Sequence, residues 1–228
     1  MSFPVPEATR MEIKFVSHHV NLHRVLTWLR VHDAGFHSPY PPRRINSVYF
    51  DTQDSQAYTA NVSGSSARTK VRYRWYGESP LPGPGYLEVK RKRNFFGWKL
   101  RYELDQAPYR DGATWQAIRR QMMTQLPPEG RQWLALWTLP TLMNRYHRRY
   151  FLSSDGLVRV TVDTGQRAWD QRFKSIPDFL RHVQLSDSVV VEFKFDRRDR
   201  QVASDVMQGI PIRVSPHSKY IRGLGASL

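Results

Sequence analysis

Along much of the chain, apolar and charged side chains alternate with a period of two. In "RTKVRYRWYG", residues 68–77, the cations Arg68, Lys70, Arg72 and Arg74 fall at every second position, with Val71, Tyr73 and Trp75 between them. Successive side chains of a strand point to opposite faces, so the four cations share one face. In "WKLRYELD" (98–105), Lys99, Arg101, Glu103 and Asp105 oppose Trp98, Leu100, Tyr102 and Leu104. The same reading sets Glu88 and Lys90 against Leu87 and Val89, and Arg159, Thr161 and Asp163 against Val158, Val160 and Val162. It also sets Glu192 and Lys194 against Val191, Phe193 and Phe195, and Glu12 and Lys14 against Ile13 and Phe15.

These patterns predict strands over 10–16, 43–52, 68–77, 86–93, 98–104, 141–152, 157–164 and 188–195, with a last strand leading into "HSKY" (217–220). Val20, Leu22, Val25, Leu26 and Leu29 recur with helical spacing, and Gly35 is a stop signal. Further helices are expected over 54–64, near 199–208, and twice within 111–138, where Pro127 and Pro128 separate the pair. The stretch "ESPLPGPG" (78–85) is a loop. There is no internal repeat and no linker long enough to separate a pair of domains, so residues 1–228 are read as one domain with its core at about 10–224.

A sheet with one solvated face accounts for alternation in any single strand. It does not account for polar faces that are nearly all charged, mixing many cations with a few carboxylates. A closed antiparallel barrel does so better, with the charged faces lining a lumen and the apolar faces outward beneath helices. The expected fold class is therefore α+β. Such a lumen repels itself until an anion enters. The net charge of +15, from 35 Lys and Arg against 20 Asp and Glu, points the same way, to a polyanionic partner. The carboxylates could pair with cations or hold a divalent metal that also touches phosphate oxygens.

Cysteine is absent, which removes disulfides, thiolate metal sites and cysteine nucleophiles. Residues 1–10 contain no signal-peptide core, and no apolar run approaches a membrane span. A soluble, cytoplasmic protein is expected. His19 and His23 have a metal-compatible spacing but no accompanying glutamate, and are read as a solvated helix face. Arginine interleaved with aromatics suits single-stranded nucleic acid. No helix-turn-helix, zinc-finger or RNP1 pattern supports that partner, and nucleic acid is disfavoured.

Taken in order, "MEIKF", "INSVYFDT", "RTKVRYRWYG", "LEVKRKR", "GWKLRYE", "NRYHRRYF", "VRVTVDT", "VVVEFKF" and "SKY" resemble the vacuolar transporter chaperone (VTC) domain, a family within the triphosphate tunnel metalloenzymes. The resemblance implies an antiparallel β-barrel tunnel with helices outside. It implies a polyphosphate polymerase that moves the γ-phosphate of ATP onto a polyphosphate chain with Mn2+ or Mg2+, the runner-up activities being a metal-dependent triphosphatase and a non-catalytic polyphosphate-binding module. Its ligands would be ATP and inorganic polyphosphate or triphosphate. Carried onto this chain, Arg72, Arg74, Lys90, Lys99, Arg145, Arg159 and Lys219 would act on the transferred phosphate. Lys14, Lys70, Arg101, Lys194 and Ser218 would bind substrate, and Glu192 would hold the metal. Two departures stand out. Position 10 is Arg where tunnel triphosphatases have the first Glu of Glu-x-Glu-x-Lys, and Pro216 and His217 replace a lysine before "SKY". With no membrane segment of its own, export would require a separate membrane partner.

Overall fold

The computed structural model describes residues 10–93, 96–180, 182–183, 185 and 187–213. In chain order these form β1 (Arg10–His18), α1 (Leu22–Val31), β2 (Arg43–Asp51), α2 (Gln56–Val62), β3 (Ala67–Tyr76), β4 (Gly85–Arg93) and β5 (Phe96–Leu104). They continue with α3 (Trp115–Gln125), α4 (Pro128–Leu136), β6 (Leu139–Leu152), β7 (Arg159–Asp170), β8 (His182–Val183), β9 (Ser188–Asp196) and α5 (Arg200–Val206). The hydrogen-bonded strand order is β1-β9-β7-β6-β2-β3-β4-β5, with β8 beside β7. Every pairing with a described register is antiparallel.

The chain gathers into two compact units. Among the described residues, one takes 10–43, 146–166 and 185–213, and the other 44–145 and 167–183. In the first, Val158, Val160, Val162, Val189, Val191 and Phe193 pack against Val25 and Leu29 of α1 and Ala203 and Val206 of α5. In the second, Val71, Tyr73, Trp75, Leu87 and Val89 pack against Trp115, Ile118 and Met122 of α3 and Leu134 of α4. The apolar faces are thus the helix-covered ones, as the alternation predicts.

Local chemistry sets the boundaries. The Asp51 carboxylate, at the end of β2, accepts from the backbone N–H groups of Ala57 (2.8 Å) and Tyr58 (3.0 Å), capping α2 from outside the helix. Thr114 caps α3 by accepting from Ala117 N–H at 3.2 Å. Leu126, ahead of Pro127, is extended and ends α3, while Pro128 opens α4 where its missing N–H costs nothing. The loop after β3 is tied down by its core residues. The Tyr73 hydroxyl donates to the Gly83 carbonyl (2.5 Å) and Trp75 Nε1 donates to the Ser79 carbonyl (3.2 Å).

Three differences from the sequence reading have physical causes. The first helix is shorter, running Leu22–Val31 after a 3-10 turn at His19–Asn21. Gly35 stands beyond its end at φ +60°, in an irregular connection. Strand β7 continues past residue 164 to Asp170, through Gly165 at φ +59°, a conformation that reads locally as a turn signal. The two-residue β8 is too short to carry a periodic pattern. The strand expected before "HSKY" lies outside the described residues.

Gly85 opens β4 opposite Trp75, and a Cβ there would collide with the Arg74 carbonyl oxygen. Gly85→Ala is expected to lower stability by about 3 kcal/mol, read as a lower urea midpoint. An unchanged midpoint would show that the β3–β4 pairing tolerates the added methyl.

Candidate functional site

In the second unit, register turns the charged face of β2–β5 into a ladder. One rung is Ser47, Arg74, Tyr86 and Glu103; the next is Tyr49, Arg72, Glu88 and Arg101; the next is Lys70, Lys90 and Lys99. Glu88 is the hub. Arg72 donates to its Oε2 from Nε (2.8 Å) and Nη2 (2.7 Å), Lys99 Nζ lies 2.5 Å from Oε1, and Arg74 Nη1 lies 3.7 Å from Oε2. The Glu88 side chain is 3% exposed. Burial opposes its charge, but Arg72, Arg74 and Lys99 outweigh burial and hold the carboxyl well below its ordinary range. Burial lowers the pKa of Lys99, the neighbouring arginines add to this, and Glu88 partly offsets it.

Arg72 also donates from Nη1 to the Tyr49 hydroxyl at 3.2 Å. Burial would raise the pKa of that phenol, yet Arg72, Arg74 and Lys70 bring it down to about 8. The lysine rung places like charges directly opposite one another, a destabilising arrangement in a sheet. Arg101 lies flat on Tyr86, its guanidinium carbon 3.4 Å from the ring centre, while Tyr86 donates its hydroxyl proton to Glu103 at 2.6 Å. Arg145 sits elsewhere in this unit. Its Nη2 donates to the Glu78 carbonyl at 2.5 Å, and Arg44 binds the Glu78 carboxylate at 2.6 Å. It shares strand parity with Met143, which belongs to the helix-covered core.

The first unit carries a more balanced set. One rung is Lys14, Glu192 and Thr161, and the next is Glu12, Lys194 and Arg159. Lys14 pairs with Glu12 and lies 3.6 Å from Glu192, which also pairs with Lys194. Burial works against the Glu192 charge, but Lys194, Lys14 and Arg148 hold its carboxyl well below the usual range. Arg148 forks onto Asp163 through Nε (2.6 Å) and Nη2 (2.7 Å), both side chains being buried. Burial disfavours the Arg148 charge, and Asp163 overrides it, keeping the guanidinium firmly protonated. Thr161 Oγ1 is buried with no hydrogen-bond partner among the described residues.

Among the described residues no three His, Asp or Glu side chains are grouped to hold a metal. Glu12 and Glu192 nevertheless share one ammonium, that of Lys14. Carboxylate oxygens are the donor type that Mg2+ and Mn2+ take, and an ion between these two would displace the Lys14 ammonium.

Of the residues expected from sequence, the structure gathers Lys70, Arg72, Arg74, Lys90 and Lys99 on one ladder, and Lys14, Arg159, Glu192 and Lys194 on another. Arg101 is on the first ladder but stacks on Tyr86, and Arg145 joins Glu78 and Arg44. Ser218 and Lys219 lie outside the described residues. The sequence reading omitted Tyr49, Arg148 and Asp163 as site residues, and placed Glu88 on the charged face without a role. "NRYHRRYF" offers three arginines, Arg145, Arg148 and Arg149, and periodicity alone does not say which is buried. Asp163 was visible by its shared parity with Arg159.

An antiparallel sheet with charged rungs on one face and helices on the other is the triphosphate tunnel type of α+β fold. The chain belongs to the VTC domain family, whose model matches residues 9–228. Among solved structures it is similar to an adenylyl cyclase candidate from Hippeastrum described as having a dominant triphosphatase activity. The identity is 14% and the TM-score 0.51, with 93% of each chain covered. An adenylate cyclase candidate from Vibrio parahaemolyticus is 10% identical over 95% of this chain and 98% of the other, at TM-score 0.47. A Pyrococcus horikoshii protein is 9% identical over 96% and 100%, at TM-score 0.49. No curated protein sequence matches the chain. No helix among the described residues is long and apolar enough to cross a membrane.

Because the folded-state pKa of Glu88 is depressed, its ionisation stabilises the fold above its ordinary value near 4.5, and that stability is lost as pH falls through the lowered folded value. Glu88→Gln is expected to cost about 3 kcal/mol near neutral pH, since it takes the counter-charge from buried Arg74 and from the half-buried Arg72 and Lys99. It should also flatten the acid limb. Urea midpoints measured from neutral pH downward test both. A variant whose loss of stability with acid matches wild type would place the Glu88 pKa at its ordinary value.

Proposed function

We propose that the protein is an ATP–polyphosphate phosphotransferase: a terminal oxygen of a polyphosphate chain attacks the γ-phosphorus of ATP, one P–O bond forms, the bond to the bridging oxygen breaks, and ADP leaves. The observation that carries this is the lysine rung beside the Glu88 hub. Lys70, Lys90 and Lys99 face one another across three strands, and Arg72 and Arg74 stand next along the same face. A phosphate chain is the kind of anion that so many cations gathered on one face would hold. Membership of the VTC domain family supports the reading.

Phosphoryl transfer asks a protein mainly to position groups and stabilise charge. Arg72 and Arg74 present planar forks to phosphate oxygens, and Lys70, Lys90 and Lys99 present compact charges. Glu88 holds Arg72 and Lys99 in place before substrate arrives. In the first unit, Glu192, with Glu12, would hold Mg2+ or Mn2+, an ion whose chemistry is to neutralise phosphoryl oxygens. Arg148, held by Asp163, and Lys194 fix the Glu192 carboxylate. Arg159, Ser218 and Lys219 remain phosphate contacts in this reading, whereas Arg145, engaged with Glu78, is left out of it.

A second reading is a metal-dependent triphosphatase, with water in place of the chain terminus. The triphosphatase activity described for the Hippeastrum protein of the same fold favours it. Phosphorus NMR after incubation with ATP and Mn2+, the metal being removed before the spectrum is taken, separates the two. Mid-chain phosphate signals together with ADP are expected. Free phosphate and ADP alone would establish hydrolysis, and unchanged ATP would leave phosphate binding without chemistry. Glu192→Gln is expected to abolish turnover while retaining most triphosphate affinity, and full activity in that variant would remove Glu192 from the metal site.

A further inference from the structure

The charged ladder of the second unit changes character along its length. The rung of Lys70, Lys90 and Lys99 gives way to Tyr49, Arg72, Glu88 and Arg101, and then to Ser47, Arg74, Tyr86 and Glu103. Beyond it, Tyr76 ends β3 on the same face, 38% exposed and diagonal to Tyr86. The face thus runs from cations through mixed charge to aromatic rings with a carboxylate.

Arg101 does not fit a phosphate role in this gradient. It is the direct cross-strand neighbour of Glu88, yet its guanidinium is laid flat against Tyr86. Tyr86 is fixed by donating to Glu103 at 2.6 Å, and Arg101 is exposed. A guanidinium plane stacked on a ring is a flat, polarisable surface of the kind on which nucleobases stack. Glu103 repels phosphate at this end but accepts hydrogen bonds from ring or exocyclic N–H groups. One rung spans two residues of strand, about 7 Å. A ribose separates a base from its phosphates by a comparable length.

We infer that the Arg101–Tyr86 stack is the nucleoside end of the site, a platform that takes the base of a nucleoside triphosphate whose phosphates lie on Arg72, Arg74 and Lys99. The inference rests on the phosphate reading proposed above, and names Arg101 a base contact in place of a phosphate contact. Stacking tolerates any base, so the platform gives affinity for nucleotides over inorganic phosphate chains more than it discriminates among bases.

Calorimetric titration of the whole protein with ATP and with inorganic triphosphate, both with Mg2+, provides the test. Wild type is expected to bind ATP more tightly than triphosphate. Tyr86→Ala and Arg101→Gln are each expected to weaken ATP binding about tenfold and leave triphosphate affinity unchanged. Tyr86→Phe, which keeps the ring and loses the hydroxyl, is expected to bind ATP nearly as wild type does, and shows that the ring itself is what matters. Equal losses for both ligands in Arg101→Gln would make Arg101 a phosphate contact and overturn the platform while upholding the phosphate site. Unchanged ATP affinity in both variants would also overturn it. Wild-type protein that binds neither ligand would overturn the platform and the proposed function together.

Discussion

One buried carboxylate makes the second unit's charged face possible. Strand alternation and register bring Arg72, Arg74 and Lys99 around a single point, and without a counter-charge the three would drive β3, β4 and β5 apart. Glu88 occupies that point, with Arg72 and Lys99 bonded to opposite oxygens of its carboxylate. It is 3% exposed, so removing it from water costs free energy that only those cations offset. The apolar side of the same strands, packed under α3 and α4, holds the backbone rigid enough for this to work. Glu88 therefore acts as the internal counter-anion of this face.

Register also sets Lys70, Lys90 and Lys99 side by side, so this face gathers more cations than carboxylates. A ligand that binds only the folded state stabilises it by mass action. The first unit solves a different problem. There Glu12, Glu192 and Asp163 nearly match Lys14, Lys194, Arg148 and Arg159, and the carboxylates are held ionised and in place.

Most of the architecture was legible in the sequence because it is written in a period of two. Strands β1, β3, β4, β5, β7 and β9 show apolar–charged alternation, and the α3–α4 break is written in Pro127 and Pro128. The cations of the second unit's ladder were legible for the same reason: parity alone puts Arg72, Arg74, Lys90 and Lys99 on one face. Parity does not say how a side chain bends once there. Arg101 has the right parity and still turns to Tyr86. In β6, three arginines within five residues left the phase open, and it is Arg148 that is buried on Asp163 while Arg145 goes to Glu78. Tyr49 looked like an ordinary aromatic strand residue. Its contact with Arg72 depends on the β2–β3 register, which pairs residues 23 apart in sequence.

In the proposed function, this face gathers cations to hold an anionic ligand. Thermal unfolding of wild type and of a Lys70→Gln/Lys90→Gln variant, each with and without inorganic triphosphate, tests that claim most directly. Triphosphate is expected to raise the midpoint of wild type much more than that of the variant. A variant stabilised by triphosphate as strongly as wild type would contradict the claim.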